Sequence, residues 1–267
     1  MIFFYYIKKF KSFFLIYFFF SGASLLLVER GNNDLIIFLI LFFVTFLNSK
    51  LIKYFLFFLA TALKLYPVFG VLYFLKNKKN YKNVFIVCVI SIIYFTISYN
   101  DIIYLVLNTP KTGDYSFGSL AIKLNIFKHS GYSINQYVIS FFLLISTLAT
   151  YLKFFYKKIF DESFFQENVY LLGSVIYLSI FLIGSHFDYR LFVLFFTVPT
   201  LIKLNNNFLK YLTLTSIILS LELHRLIFLF GFFGGLINVS AKFILFIILG
   251  CLSIEILLRK IKISDKK

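Results

Sequence analysis

The sequence predicts an all-α fold, a polytopic transmembrane helical bundle, and three observations lead there. First, 61% of the 267 residues are hydrophobic and only 14% are charged, with a mean hydropathy of +0.91. A soluble domain, with about a quarter of its residues charged, does not carry that much apolar surface. Second, apolar runs such as 12–28, 84–98 and 243–258 approach the roughly 20 residues that cross a ~30 Å hydrocarbon core. None alternates as a membrane-barrel strand does. A helix satisfies its backbone polar groups within its own segment, so helices are the expected spanning elements. Third, the charges between the runs are sorted. Lysine clusters occupy one set of connections. The histidines His129, His186 and His224, with Arg30, Arg190 and Arg225, occupy the other.

Taken in order, the candidate segments are 12–28, 35–47, 51–63, 65–75, 84–107, 134–152, 167–184, 187–204, 208–230 and 242–258. Lys8, Lys9 and Lys11 place the N-terminus inside by the positive-inside rule. The start resembles a signal peptide, but its apolar run continues past Ser21-Gly22-Ala23-Ser24 to Val28, which points to an uncleaved anchor. If 51–75 were one span, every later lysine cluster would face outward. A helical hairpin that rises through 51–63, turns at Lys64-Leu65-Tyr66-Pro67 and descends through 65–75 keeps those clusters inside. Proline disfavours the α conformation in the residue before it, which suits a break there. The expectation is therefore about eight full spans plus a half-length hairpin, with both termini cytoplasmic. The whole of 1–267 reads as one integral membrane domain, without internal repeat or linker. Its one long connection, 108–135, is extracytoplasmic and carries a short amphipathic helix over Phe117–Phe127, expected to lie on the membrane surface.

A net charge of +16 would suggest nucleic acid in a soluble protein. Here lysines flanking helices on the cytoplasmic side account for it, so no nucleic-acid partner is expected. Cys88 and Cys251 lie inside apolar runs without CxxC spacing and read as core filler. The chain has no glycine-rich phosphate loop, no metal-ligand spacing and no nucleophile elbow. No cofactor and no metal are expected, and any substrate must come from the membrane, with membrane lipids as partners.

Ionisable groups within spans are costly and usually line a cavity or pair. Glu222 and Arg225, at i,i+3, can pair on one helix face. Lys64 has no acidic neighbour within four residues. Its ammonium either snorkels to the outer interface or meets an anionic lipid phosphate. Glu29-Arg30-Gly31-Asn32-Asn33-Asp34 leads into a helix, with Asn32 or Asn33 suited to cap it and Asp34 to its first turn. His186, Asp188 and Arg190 alternate around a turn, either as a cap with an interfacial tyrosine or as a group that binds substrate. A histidine beside an acid can act as a general base. The candidate acid–base residues are thus Asp34, His186 and Asp188.

These same residues resemble a family. Val28-Glu29-Arg30-Gly31-Asn32-Asn33-Asp34-Leu35 opens a span, and Ala62-Leu63-Lys64-Leu65-Tyr66-Pro67 follows some way on. With Tyr115–Leu124 and Phe187-Asp188-Tyr189-Arg190-Leu191, they look like glycosyltransferase family 87, over about residues 20–205. These are type C, multi-span enzymes resembling polyprenyl-phosphate-mannose-dependent mannosyltransferases of the cell envelope. The resemblance implies sugar transfer from a polyprenyl-phosphate-linked donor to a lipid-linked or envelope acceptor on the outer face. It implies substrate contacts from Arg30, Asn32, Lys64, Tyr66, Tyr189, Arg190, His224 and Arg225. In one respect the chain departs from the pattern. Type C enzymes carry an essential acid in their first outer loop, and here that loop already holds the later Arg-Gly-Asn motif. Either the chain is the C-terminal two-thirds of a longer enzyme, or the acid's role has moved, or activity is lost, and no residue inherits the catalytic-acid assignment. The same cationic cavity would suit a transporter or flippase of lipid-linked sugars, which should show paired repeats, or a non-catalytic membrane subunit.

Overall fold

The computed structural model describes residues 17–18, 20–29, 33–75, 81–108, 117–155, 166–184 and 188–265. The side chains of 105–107, 125, 128–130, 155, 188–189, 223–224, 232 and 262–265 lie outside that description. The fold is all-helical, with no strand among the described residues. The helices are α1 Gly22–Glu29, α2 Asp34–Phe46, α3 Lys50–Leu63, α4 Tyr81–Ile97, α5 Tyr99–Asn108 and α6 Ser119–Ser130. They continue with α7 Gln136–Thr150, α8 Glu167–Ile183, α9 Val198–Ile202, α10 Asn207–Leu221 and α11 Leu223–Asp265, the last kinked at the non-helical Gly231 (φ 54°, ψ −129°). Two 3-10 helices, Tyr66–Phe74 and Asp188–Phe196, interrupt the α series.

Helix α8 is the central element. Tyr170, Leu171, Leu172, Ile176 and Tyr177 on it are wholly buried. Both 3-10 helices press against it, each at a glycine. A Cβ on Gly70 would lie 2.6 Å from Leu172 Cδ1, and one on Gly173 would lie 2.6 Å from the Val193 carbonyl oxygen. The C-terminal part of α11 runs antiparallel to α8. Tyr177 donates to the Lys242 carbonyl (3.1 Å), Tyr170 to the Leu249 carbonyl (3.2 Å) and Ser253 to Ser174 (2.9 Å). A phenylalanine cluster joins α2 to the second 3-10 helix, where the Phe38 ring meets Phe192 at 4.4 Å and Phe196 at 5.3 Å. Phe18 closes it from the N-terminal side, 5.4 Å from Phe192.

The segment 51–75 does fold back on itself. Lys53 Nζ donates to the Tyr73 hydroxyl at 3.1 Å across 20 residues. Tyr54 and Phe57 pack their rings on Phe74 at 4.9 and 5.2 Å. A straight helix would hold positions 53 and 73 about 30 Å apart. The break comes at Lys64, which turns to extended backbone (φ −150°, ψ 146°). Pro67 follows in the first turn of the 3-10 helix, where its missing N–H leaves no helical bond unmade.

The described residues contain fewer long spans than expected. Two helices, Gln136–Phe154 and Phe233–Ile261, are long and apolar enough to cross a membrane. A third arises only if Asn207–Leu221 and Arg225–Gly231, bent by 85°, are one broken span. The apolar runs are cut by local structure. Residues 187–204 form a 3-10 helix and a five-residue α-helix rather than a continuous α-helix. The run 208–230 breaks at Glu222, where Asn238 Nδ2 donates to the carbonyls of Leu219 and Ser220. Those are helix-end carbonyls that need a partner once the helix stops. Residues 233–241, expected to connect two segments, are instead helical and extend the last one to 29 residues.

The amphipathic helix of the long connection is present as α6. Its start is seated in protein rather than on a surface. Phe117 is buried and stacks on Tyr177 at 6.0 Å, and Ser119 donates to the Leu182 carbonyl at 2.9 Å. Gly118 makes this possible. Its φ of +117°, with the Gly184 carbonyl oxygen occupying the place where a Cβ would stand, admits no other residue. Gly131 ends α6 with a left-handed φ of +72° but open space around it. Gly118→Ala should therefore cost several times more stability than Gly131→Ala, for which strain alone predicts about 1 kcal/mol. Thermal unfolding of the purified variants in detergent checks the order, and equal losses would contradict this packing.

Candidate functional site

One buried carboxylate gathers three of the sequence motifs. Asp34 opens α2 and is 3% exposed. Asn33 holds the N-cap position with helical backbone, yet its side chain makes no capping bond; Asn32 lies outside the described residues. The Asp34 carboxylate is turned across the fold instead. Lys64 Nζ donates to Oδ2 at 2.6 Å, and the Tyr66 hydroxyl donates to Oδ1 at 2.8 Å. Arg190 Nε stands 3.9 Å from Oδ2, and its guanidinium carbon lies 5.5 Å from the centre of the Tyr66 ring.

Each member is delivered by a local feature of the backbone. Lys64 caps α3 in extended conformation, Tyr66 is the first residue of one 3-10 helix, and Arg190 is near the start of the other. Burial of an ionised carboxylate costs several kcal/mol unless it is paired and hydrogen-bonded, and both oxygens here are engaged. The two cations reach further out than the acid, with 25% of the Lys64 and 18% of the Arg190 side chain exposed. Lys64 stands between apolar segments. Asp34 pairs it by charge and hydrogen bond, and Arg190 brings a second positive charge to the same carboxylate. Asp34 thus lies beneath two cations and faces both.

The expected counter-charge of Lys64 is corrected by this geometry. With no carboxylate within four residues, the sequence points to a lipid phosphate as the partner. Asp34, 30 residues away, fills that place. The signal in the sequence is the register of adjacent antiparallel helices: Asp34 begins α2 and Lys64 follows α3, so both fall at the same end. Glu222 and Arg225 make the i,i+3 pair expected of them, at 3.2 Å, with Arg225 half exposed. That pair is a separate polar group. Glu222 Oε1 accepts from the Tyr17 hydroxyl (2.6 Å) and the Gly22 amide (3.2 Å), contacts not foreseen from the sequence. Arg30 and His186 lie outside the described residues. Asp188 and Tyr189 are placed in backbone only, as is His224. Among the described residues, no group of three or more His, Cys, Asp or Glu is placed to hold a metal.

At the opposite end a second polar network closes the fold. Lys260 Nζ lies 3.3 Å from Glu167 and donates to Asn168 Oδ1 at 2.5 Å. Asn168 in turn donates to the Tyr73 carbonyl at 2.7 Å. Glu255 binds Tyr151 (2.8 Å) and Arg259 (2.7 Å). Tyr73 also donates to the Val44 carbonyl at 3.0 Å, so the 3-10 helix 66–74 is held at both ends.

Because Asp34 is the buried partner, removing Lys64 should hurt more than neutralising Asp34. Lys64→Met leaves a buried acid short of its counter-charge and should cost about 3 kcal/mol. Asp34→Asn removes the buried charge together with its pairing to Lys64 and should cost about 1 kcal/mol. The double variant should lose less than the sum, as coupled neighbours do. Chemical unfolding in mixed micelles measures all three, and additive losses would mean that the ion pair contributes nothing. No family model matches the chain, and no curated protein or solved structure matches it.

Proposed function

We propose that the chain is a type C glycosyltransferase-like membrane protein, which transfers a mannose-like sugar from a polyprenyl-phosphate donor to a lipid-linked or envelope acceptor on the outer face. The single observation that supports this reading is the meeting of Asp34, Lys64, Tyr66 and Arg190, which come from three separated motifs of the resemblance. In the transfer, the acceptor oxygen bonds to the anomeric carbon and the bond from that carbon to the donor phosphate breaks. The phosphate leaves with the electron pair, and a base takes the hydroxyl proton. Lys64 and Arg190, partly exposed beside each other, suit the developing phosphate charge. Tyr66 holds the guanidinium face. Arg30, Tyr189, His224 and Arg225 are assigned to substrate contact, and Asn32, Asp34, His186 and Asp188 to the sugar and its hydroxyls, with His186 and Asp188 the candidates for the base. A second reading, a non-catalytic subunit, is favoured by one feature: the Asp34 carboxylate is engaged by Lys64 and Tyr66 rather than turned to an acceptor.

The membrane arrangement belongs to the same proposal. Shorter apolar helices such as Asp34–Phe46, Tyr81–Ile97 and Glu167–Ile183 act as further membrane segments beside α7 and α11. The hairpin 51–75 enters and leaves on one side, and both termini are cytoplasmic. The site then faces outward, and the network around Lys260 faces the cytoplasm, where lysines concentrate.

Arginine presents a planar fork that lysine cannot reproduce. In proteoliposomes supplied with polyprenyl-phosphate-mannose, Arg190→Lys should insert normally and lower donor binding by about tenfold, equivalent to ~1.4 kcal/mol. Wild-type binding in that variant would reduce Arg190 to an interfacial anchor. For the arrangement, single cysteines at positions 80 and 156 should both resist membrane-impermeant labelling from outside. Labelling at 80 with protection at 156 would exclude the cytoplasmic placement that the hairpin requires.

A further inference from the structure

A nine-residue 3-10 helix is unusual, because runs beyond three or four residues are uncommon. Tyr66–Phe74 is one, and its packing explains the form. Pro67, Gly70 and Tyr73 are buried at a spacing of three residues, the period at which a 3-10 helix stacks side chains in one row. That row lies on α8, with Gly70 against Leu172 and Ile176. One end is fixed by Tyr73 to Val44 and Lys53, and by Asn168. The other carries Tyr66 and follows Lys64, both bound to Asp34.

We infer that 66–74 is a two-state element: 3-10 while Asp34 holds Lys64 and Tyr66, and α-helical when that latch opens. An α-helix rises 1.5 Å per residue against about 2.0 Å for 3-10. Over the seven steps from Tyr73 to Tyr66 the α form is about 3.5 Å shorter. It also turns about 100° rather than 120° per residue, so Tyr66 swings by about 140° relative to the fixed Tyr73. Neither the hydrogen bond to Asp34 nor the stacking under Arg190 survives such a movement. Lys64 is carried with it, so the switch sets whether the two cations stand together. The inference concerns this movement and holds whatever anion the cations serve. Gly70 is the second lever. Alanine there meets Leu172 and Ile176 in the 3-10 form, and it is favoured over glycine in an α-helix by about fivefold.

The chain contains no tryptophan, so Phe69→Trp places a single indole reporter on the segment. In the full chain reconstituted in lipid nanodiscs with this reporter, Asp34→Asn should change both the indole emission and its quenching by spin-labelled lipid. It should also raise acylation of Lys64, read by mass spectrometry, by about fivefold, with Lys210 unchanged as the internal reference. Gly70→Ala should move both signals in the same direction. If Asp34→Asn raises Lys64 acylation and leaves the indole signals unchanged, the contact is a local ion pair and the two-state segment is refuted. Unchanged signals in both variants refute it as well. Should Gly70→Ala fail to fold on gel filtration, the two readouts of Asp34→Asn decide alone.

Discussion

The carboxylate of Asp34 sets a condition that much of this fold satisfies. An ionised acid out of contact with water must be paired and hydrogen-bonded, or it loses its charge. Its partners come from elements with no sequence proximity: Lys64 after α3, Tyr66 at the head of one 3-10 helix and Arg190 near the head of the other. One buried group therefore ties together the end of α3, the head of the 3-10 helix 66–74 and the segment at Arg190. The cations are the exposed side of that arrangement, and they make the place chemically usable.

The rest of the packing lets these elements come close enough. Between helices in an apolar medium, close backbone approach at small residues does the work that the hydrophobic effect does in water. Here Gly70 and Gly173 admit a 3-10 helix on either side of α8, and Gly118 admits the start of α6 against Gly184. Phenylalanine fills what remains, as in the contacts of Phe38 with Phe192 and Phe196. The network of Lys260, Glu167, Asn168 and Tyr73 ties the far end, so the 3-10 helix 66–74 runs between two polar anchors.

Read as function, the cluster is a place where positive charge is concentrated under control. Lys64 and Arg190 carry like charges, and Asp34 faces both. The separate pair of Glu222 and Arg225 sits at the 85° elbow after α10, where Asn238 has taken the helix-end carbonyls. It is a polar group separate from the cluster at Asp34.

Composition and charge pattern alone determined that this chain is helical and apolar enough for a membrane, because segment-length hydrophobicity and lysine placement are properties of local sequence. The reversal at Lys64–Pro67 was legible too, because the alternation of lysine clusters along the chain asked for a return there. So was the pairing of Glu222 with Arg225, a contact within one turn. The number of continuous spans was not. Whether 187–204 is an α-helix or a 3-10 helix depends on how closely α8 allows it to pack at Gly173, and no periodicity records that. The partner of Lys64 was equally hidden, because Asp34 is adjacent only after α2 and α3 lie antiparallel. Tertiary structure decided these points for one physical reason: close approach and charge pairing depend on distances in space, and sequence separation says little about them.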